Sequence, residues 1–226
     1  MQLSDRHRRL CLGVFMASLA GGGLEKTMVT IAAGLAGRGH SVTLLPCRRK
    51  GRLAEALPPG LVLHELERGS ALAGRVAALR ADPGALLPLA RPFLLAAKPP
   101  GPVPYLRSLA AWLREARPDG LIACMPQENL SALMARRLAD AAATRVVVTE
   151  HNTLSETVRR ARSMNHRALP PLIGRAYRQA DAVVAVSAGV ADDLAATAGL
   201  PRRLVTVVHN PVVPSDVDRR AAEPVD

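Results

Sequence analysis

Aromatic residues are scarce in this chain, with two Phe, two Tyr and one Trp among 226 residues. That scarcity removes the stacking platform on which single-stranded nucleic acid is held, and no recognition motif for nucleic acid stands in its place. A core must therefore be built from Ala, Val and Leu, and apolar residues at 49% of the sequence suffice for it. Cysteine is sparse as well. Cys11, Cys47 and Cys124 are an odd number without metal-ligand spacing. Free thiols in a reducing cytosol are expected, not a disulfide frame or a metal site. No apolar run reaches the length of a membrane-spanning helix. Acids are short too: 19 against 30 Lys plus Arg leave a formal +11. Such an excess favours anionic partners such as phosphates or acidic lipid headgroups, beside the plainer reading that arginine here is the solvated charge of choice.

What is present alternates. "RHRRLCLGVFMASLAGGG" has the basic start, apolar stretch and small residues of a signal peptide. The following residues favour a first strand, Leu10 to Ala17, instead. Met28, Ile31, Ala32 and Leu35 recur at helical spacing directly after the glycines, "GRGH" stops that helix, and "SVTLL" resumes as a strand. Cleavage would remove the first strand of this βαβ unit. Further strands are expected at Leu61 to Leu66, Leu121 to Met125, Arg145 to Thr149, Asp181 to Val186 and Leu204 to Val208. Leu106, Leu109, Ala110 and Leu113 stripe one intervening helix, and Leu130, Leu133, Met134 and Leu138 another. Ser187 is placed to cap a helix that Gly199-Leu200-Pro201 ends. Continuous Val/Ile/Leu strands separated by helices imply an α/β fold, a Rossmann-like, doubly wound parallel sheet of about seven strands.

In such sheets ligands bind at the carboxyl ends of the strands. The residues there are Gly21, Gly22 and Gly23, then Gln127, Glu128 and Asn129, then Glu150, His151, Asn152 and Thr153, then Ser187, then His209 and Asn210. "GGGLEKT" comes near a P-loop, but Glu25 stands directly before Lys26, where a phosphate-cradling backbone needs glycine. No later strand ends in an aspartate for Mg²⁺. Glu25 beside Lys26 favours a surface ion pair over a triphosphate clamp. G-x-G-x-x-G is absent as well. The remaining reading is close approach: glycines at a strand-to-helix turn let a ligand lie against bare backbone, with a helix N-terminus behind them suited to phosphate oxygens. A tight turn without any ligand is the alternative.

"GGGLEKTMVTIAAGLAGRGHSVTLL", "VVVTEHNTLS" and "ADAVVAVSAGVADDLAATAGLPRRLVTVVHNPVV" stand in that order along the chain. Together they resemble the N-terminal domain of the family 4 glycosyltransferases over about residues 8 to 213. The resemblance implies one half of a GT-B fold, with residues 1–213 as the acceptor-side domain and 214–226 as a linker towards a C-terminal, donor-binding domain. That second domain carries a Glu-x7-Glu motif, which this sequence lacks. The chain is thus expected to be inactive by itself and to need that domain in cis or in trans. It is read as an excised domain, a truncated gene or one subunit of a split pair.

The resemblance further implies a retaining, metal-independent hexosyltransferase, with no cofactor, working on a UDP- or GDP-sugar. The acceptor is a glycan, a lipid-linked glycan or a small molecule. His151 takes the position of the family's strand-five histidine and is the candidate catalytic residue, bonding a donor-sugar hydroxyl and steadying developing charge without acting as general base. Gly21, Gly22, Gly23, Gln127, Asn129, Glu150, Asn152, Thr153 and Asn210 are the candidate substrate-binding residues. A cytoplasmic location is expected, peripheral on the inner face of an anionic membrane where Arg6, Arg8 and Arg9 before strand one and the arginines after strand five would bind, and no nucleic acid. The alternative function is a non-catalytic remnant or partner subunit of the same fold, with a P-loop-type ATPase behind it. His209 is expected to order the hinge, His64 to be a plain strand residue, and Asp216-Val217-Asp218 to be a solvated linker.

Overall fold

The structure is a computed structural model and describes residues 8–48, 51–85, 99–161 and 167–211. Seven strands form one parallel sheet in the order β3-β2-β1-β4-β5-β6-β7. They are β1 (Cys11–Ser18), β2 (Ser41–Arg48), β3 (Leu61–Leu63), β4 (Gly120–Cys124), β5 (Arg145–Glu150), β6 (Ala182–Ala185) and β7 (Val205–Val207). The helices between them are α1 (Gly23–Gly37), the single turn α2 (Arg52–Glu55), α3 (Ala71–Ala81), α4 (Leu106–Ala116), α5 (Pro126–Leu138), α6 (Leu154–Arg160), α7 (Leu169–Ala176) and α8 (Ala188–Ala198).

Strand periodicity divides the core. Val14 and Met16 face one side with Val42, Leu44 and Cys124, under Met28, Val29 and Ala32 of α1. Phe15 faces the other with Leu45, Leu121, Ala123, Val146 and Val148, under α3, α4, α5, α7 and α8. Burial on both faces explains why the strands read as unbroken apolar runs. Gly13 is the exception within β1. A Cβ there would lie 2.8 Å from the Trp112 indole, so the one tryptophan packs close against bare backbone.

Most of the expected boundaries move by a residue or two. The third strand is much shorter than expected, ending at Leu63. It lies at the sheet edge against β2 alone, Val62 is 56% exposed, and the pairing with β2 runs only from Leu61 to Leu63. Ser187 does cap α8, its Oγ accepting from Val190 N at 3.2 Å, and Gly199 closes the helix in the left-handed region. The residue 214–226 linker, with Asp216-Val217-Asp218, lies outside the described residues. No described helix is long and apolar enough to cross a membrane.

Helices α7 and α8 meet backbone to backbone at Gly174, where a Cβ would stand 2.0 Å from the carbonyl oxygen of Ala198. Gly174→Val is therefore expected to cost on the order of 3 kcal/mol of stability, since a backbone oxygen cannot step aside. Gly34→Ala, on an open stretch of α1, should instead gain up to about 1 kcal/mol. Urea denaturation of the two variants checks both.

Candidate active site

All strands run parallel, so their carboxyl ends line one edge. The chain leaves β1 for α1 on one face and leaves β4 for α5 on the other. Between these two exits lies a small hollow lined by Met16, Ala17, Leu24, Glu25, Cys124, Met125 and Glu128. This reversal of winding is where an open α/β sheet forms its ligand crevice.

The three glycines at the β1 exit differ. Gly21 has φ +102°, a conformation that side chains resist. Gly22 caps α1, and a Cβ on it would stand 2.6 Å from Glu25 Oε2. Gly23 has neither constraint: φ is ordinary and a Cβ would meet nothing within 4 Å. Glu25 folds back over Gly22, and its Oε1 accepts from Ser18 Oγ at 3.2 Å. The expected surface pair with Lys26 is therefore not formed; Glu25 faces Ser18, and Lys26 is left exposed. A carboxylate in the first turn of α1 already offsets the helix dipole, so this N-terminus is a poorer phosphate site than its glycines suggest.

Beneath the β4 and β5 exits lies a closed polar cluster. Asn129 is fully buried, and its Nδ2 donates to Thr149 O at 2.9 Å, to Glu150 Oε1 at 3.0 Å and to Tyr177 Oη at 2.9 Å. Tyr177 Oη also donates to Glu150 Oε1. Glu150 is 2% exposed. Asn129 and Glu150, expected to bind substrate, are turned inward and bonded to each other and to Tyr177, tying the end of β5 to α5. Burial raises the Glu150 carboxyl to about 7; its bonds from Tyr177 and Asn129 work against that and the nearby Glu128 with it. Glu128 is raised to about 7 by the same cause, with its own backbone N–H and Arg48 opposing.

His151 follows directly, half-buried, with Nε2 3.1 Å from Thr149 Oγ1 and a pKa lowered by burial. Asn152 is exposed and its Nδ2 donates to Met125 Sδ at 3.6 Å, which brings the β5 exit to the rim of the β4 exit. Thr153 stands at the N-cap position of α6 without a side-chain cap bond. Gln127 lies half-buried in the first turn of α5. His209 Nδ1 lies 3.0 Å from Val186 O and ties the β7 exit to the β6 exit. Asn210 follows it at the far side of the sheet. With strands about 4.8 Å apart, β7 lies roughly 19 Å from β1 and β5 roughly 10 Å. The structure thus gathers the glycines, Gln127, His151 and Asn152 near the crevice, and leaves Asn210 apart.

The basic stretch after β5 is largely engaged within the chain. Arg159 and Arg160 pair with Glu156, Arg175 with Asp82 at 3.1 Å, and Arg178 donates to Gly199 O at 2.8 Å. Arg162 lies outside the described residues. Ser18, Thr149 and Tyr177 join the site without having been singled out in the sequence. Thr149 adjoins residues that were; Tyr177 carries no local signal, being 27 residues from its partner Glu150.

An open, doubly wound sheet with a glycine loop and a histidine flanking its winding reversal defines a Rossmann-type domain. The family model for Glycosyltransferase Family 4 matches residues 21–216, and the chain belongs to that family. No curated protein sequence matches it. Among solved structures it is similar to the lipopolysaccharide outer core galactosyltransferase WaaB in its apo form, at 16% identity and a TM-score of 0.59, over 89% of this chain and 46% of that one. It is similar to Anabaena Alr3699/HepE in complex with UDP and glucose, at 17% identity and a TM-score of 0.60, over 94% and 49%. Acinetobacter baumannii MurG matches at 12% identity and a TM-score of 0.51, over 91% and 47%. The chain spans about half the length of these structures, and the likeness is one of fold. The chain is a Glycosyltransferase Family 4 domain whose Rossmann-like fold matches about half of each of these structures.

Proposed function

We propose that this chain is the acceptor-side half of a retaining, metal-independent hexosyltransferase that uses a UDP- or GDP-sugar. The acceptor would be a glycan, a lipid-linked glycan or a small molecule. One observation carries the reading: in a family 4 domain, Gly23 lies open at the crevice although nothing within the folded chain requires glycine there. A ligand passing close over that backbone supplies the reason. The complex of Alr3699/HepE with UDP and glucose supports a nucleotide-sugar as the class of donor.

In the proposed reaction an acceptor hydroxyl attacks the anomeric carbon on the face from which the diphosphate leaves. The carbon–oxygen bond to the diphosphate breaks, and the hydroxyl proton passes to a leaving phosphate oxygen. His151, neutral at pH 7 because burial lowers its pKa, bonds a donor-sugar hydroxyl without taking the proton. With the Glu25 carboxylate across the α1 terminus, this half suits neutral hydroxyls better than phosphates. The diphosphate charge is met in the second domain, present in cis or in trans. Attachment to the inner face of an anionic membrane is part of the proposal for a lipid-linked acceptor and rests on the +11 charge.

By itself the chain should transfer no sugar and bind UDP- or GDP-sugars only weakly. Calorimetry on the chain alone, and a transfer assay after joining it to a family 4 donor-binding domain, test this. Micromolar or tighter donor binding by the chain alone contradicts the division of labour. A joined protein that folds, binds donor and transfers nothing favours the alternative, a non-catalytic partner subunit.

A further inference from the structure

We propose that Thr149 fixes the tautomer of His151, so that the imidazole offers an unprotonated Nδ1 and selects a ligand group that donates a hydrogen bond. Residues 149 and 151 lie two apart at the end of β5, so strand periodicity turns both side chains to the same face. Their separation of 3.1 Å, Oγ1 to Nε2, is one hydrogen bond.

The direction of that bond follows from the hydroxyl's other contact. A threonine hydroxyl has one proton, and Thr149 Oγ1 donates it to the Ala123 carbonyl at 2.9 Å. Towards His151 the oxygen can only accept, so Nε2 carries the hydrogen. A neutral imidazole has a single N–H, and Nδ1 is therefore a bare lone pair. Among the described residues Nδ1 has no protein partner, and it is not an atom closed off from solvent. The lowered pKa keeps the ring in this neutral form at pH 7.

The relay Ala123 C=O, Thr149 hydroxyl, His151 imidazole thus runs from β4 through β5 to the ligand edge. A lone pair at its end accepts from a hydroxyl and repels a phosphate oxygen. Thr149 is a positioning residue, acting through His151. That the hydroxyl belongs to a sugar rests on the function proposed above; the tautomer does not.

Long-range 1H–15N NMR of the full chain, at a pH above the His151 titration, reads the tautomer without any sugar. Wild type and Thr149→Ser should show Nε2–H. Thr149→Val, nearly the same shape without the hydroxyl, should show a mixture of tautomers and a His151 pKa lowered further, because the imidazolium loses an acceptor. An Nδ1–H wild type, or a Thr149→Val protein that keeps pure Nε2–H, overturns the proposal. If Thr149→Val does not fold, the wild-type spectrum still decides, Nε2–H upholding the proposal and Nδ1–H overturning it. In the chain joined to a donor-binding domain, Thr149→Val should lower kcat/KM and Thr149→Ser should restore it. Nε2–H in a joined protein that transfers no sugar removes the glycosyltransferase reading and leaves the tautomer assignment standing. Transfer by a protein whose His151 is Nδ1–H does the reverse.

Discussion

In the chain joined to a donor-binding domain, Gly23→Val is expected to lower sugar transfer by on the order of a hundredfold, while stability changes by no more than about 1 kcal/mol. The two effects separate because the fold places no demand on this position. Gly23 opens α1 with an ordinary φ, and an added Cβ meets nothing within 4 Å. Its neighbours make poorer probes. A side chain at Gly21 is strained by φ +102°, and one at Gly22 displaces the Glu25 carboxylate from the helix terminus. Either change would confuse damage to the loop with loss of a ligand. Lys26→Ala is the complementary variant. Its ammonium is exposed and the adjacent Glu25 is turned towards Ser18, so little activity should be lost. Transfer rates and thermal melting of the two variants decide the matter. Abolished transfer in Lys26→Ala with a silent Gly23→Val would make the loop a lysine-dependent phosphate clamp.

The strands were legible because this sheet is covered on both faces, which turns each strand into an apolar run with little else to imitate it. β1 was expected at Leu10 to Ala17 and lies at Cys11–Ser18, a shift within the fraying of any strand end. Leu66 is apolar and buried and so reads as strand, yet it is buried in the larger core cluster beyond the end of the ladder at Leu63. A sequence shows that a residue is apolar, not which neighbour covers it.

At the site, position was legible and direction was not. A residue just after a parallel strand must lie at the ligand edge, which placed the glycines and His151. Whether its side chain then points outward depends on partners distant in sequence. Asn129 and Glu150 are polar and follow strands, which by itself implies an outward side chain. They point inward because Tyr177, brought up by the turn after α7, offers both a buried hydroxyl. Adjacency in the sequence suggests a pair between Glu25 and Lys26. Residues adjacent on a helix do not face each other, whereas Ser18 on β1 lies within reach of the first turn.

Buried Glu128 and Glu150 set the expected pH dependence. Each carboxyl is raised from an ordinary 4.5 to about 7 in the folded protein, burial being the largest cause. Between those values the native state keeps protons that the unfolded chain has released, so stability must fall as pH rises. The loss per group is on the order of 3 kcal/mol, and it is not additive, because each charge raises the cost of the other. His151 works in the opposite sense. Its folded pKa lies below the ordinary 6.5, so its contribution grows as pH rises towards that value. Asp82, held low by Arg175 and Arg137 against its burial, matters only in more acid solution. The buried cysteines and Tyr177 are pushed upward and titrate at higher pH. The difference between wild type and the double variant Glu128→Gln, Glu150→Gln isolates the two carboxyls. Glutamine at 150 keeps an oxygen to accept from Tyr177 and Asn129. Urea unfolding from about pH 5.5 to about pH 8 should show wild-type stability falling and the double variant level or rising. Parallel curves for the two proteins would mean that neither glutamate holds its proton in the native state, and that the cluster under His151 is ionised when the protein works.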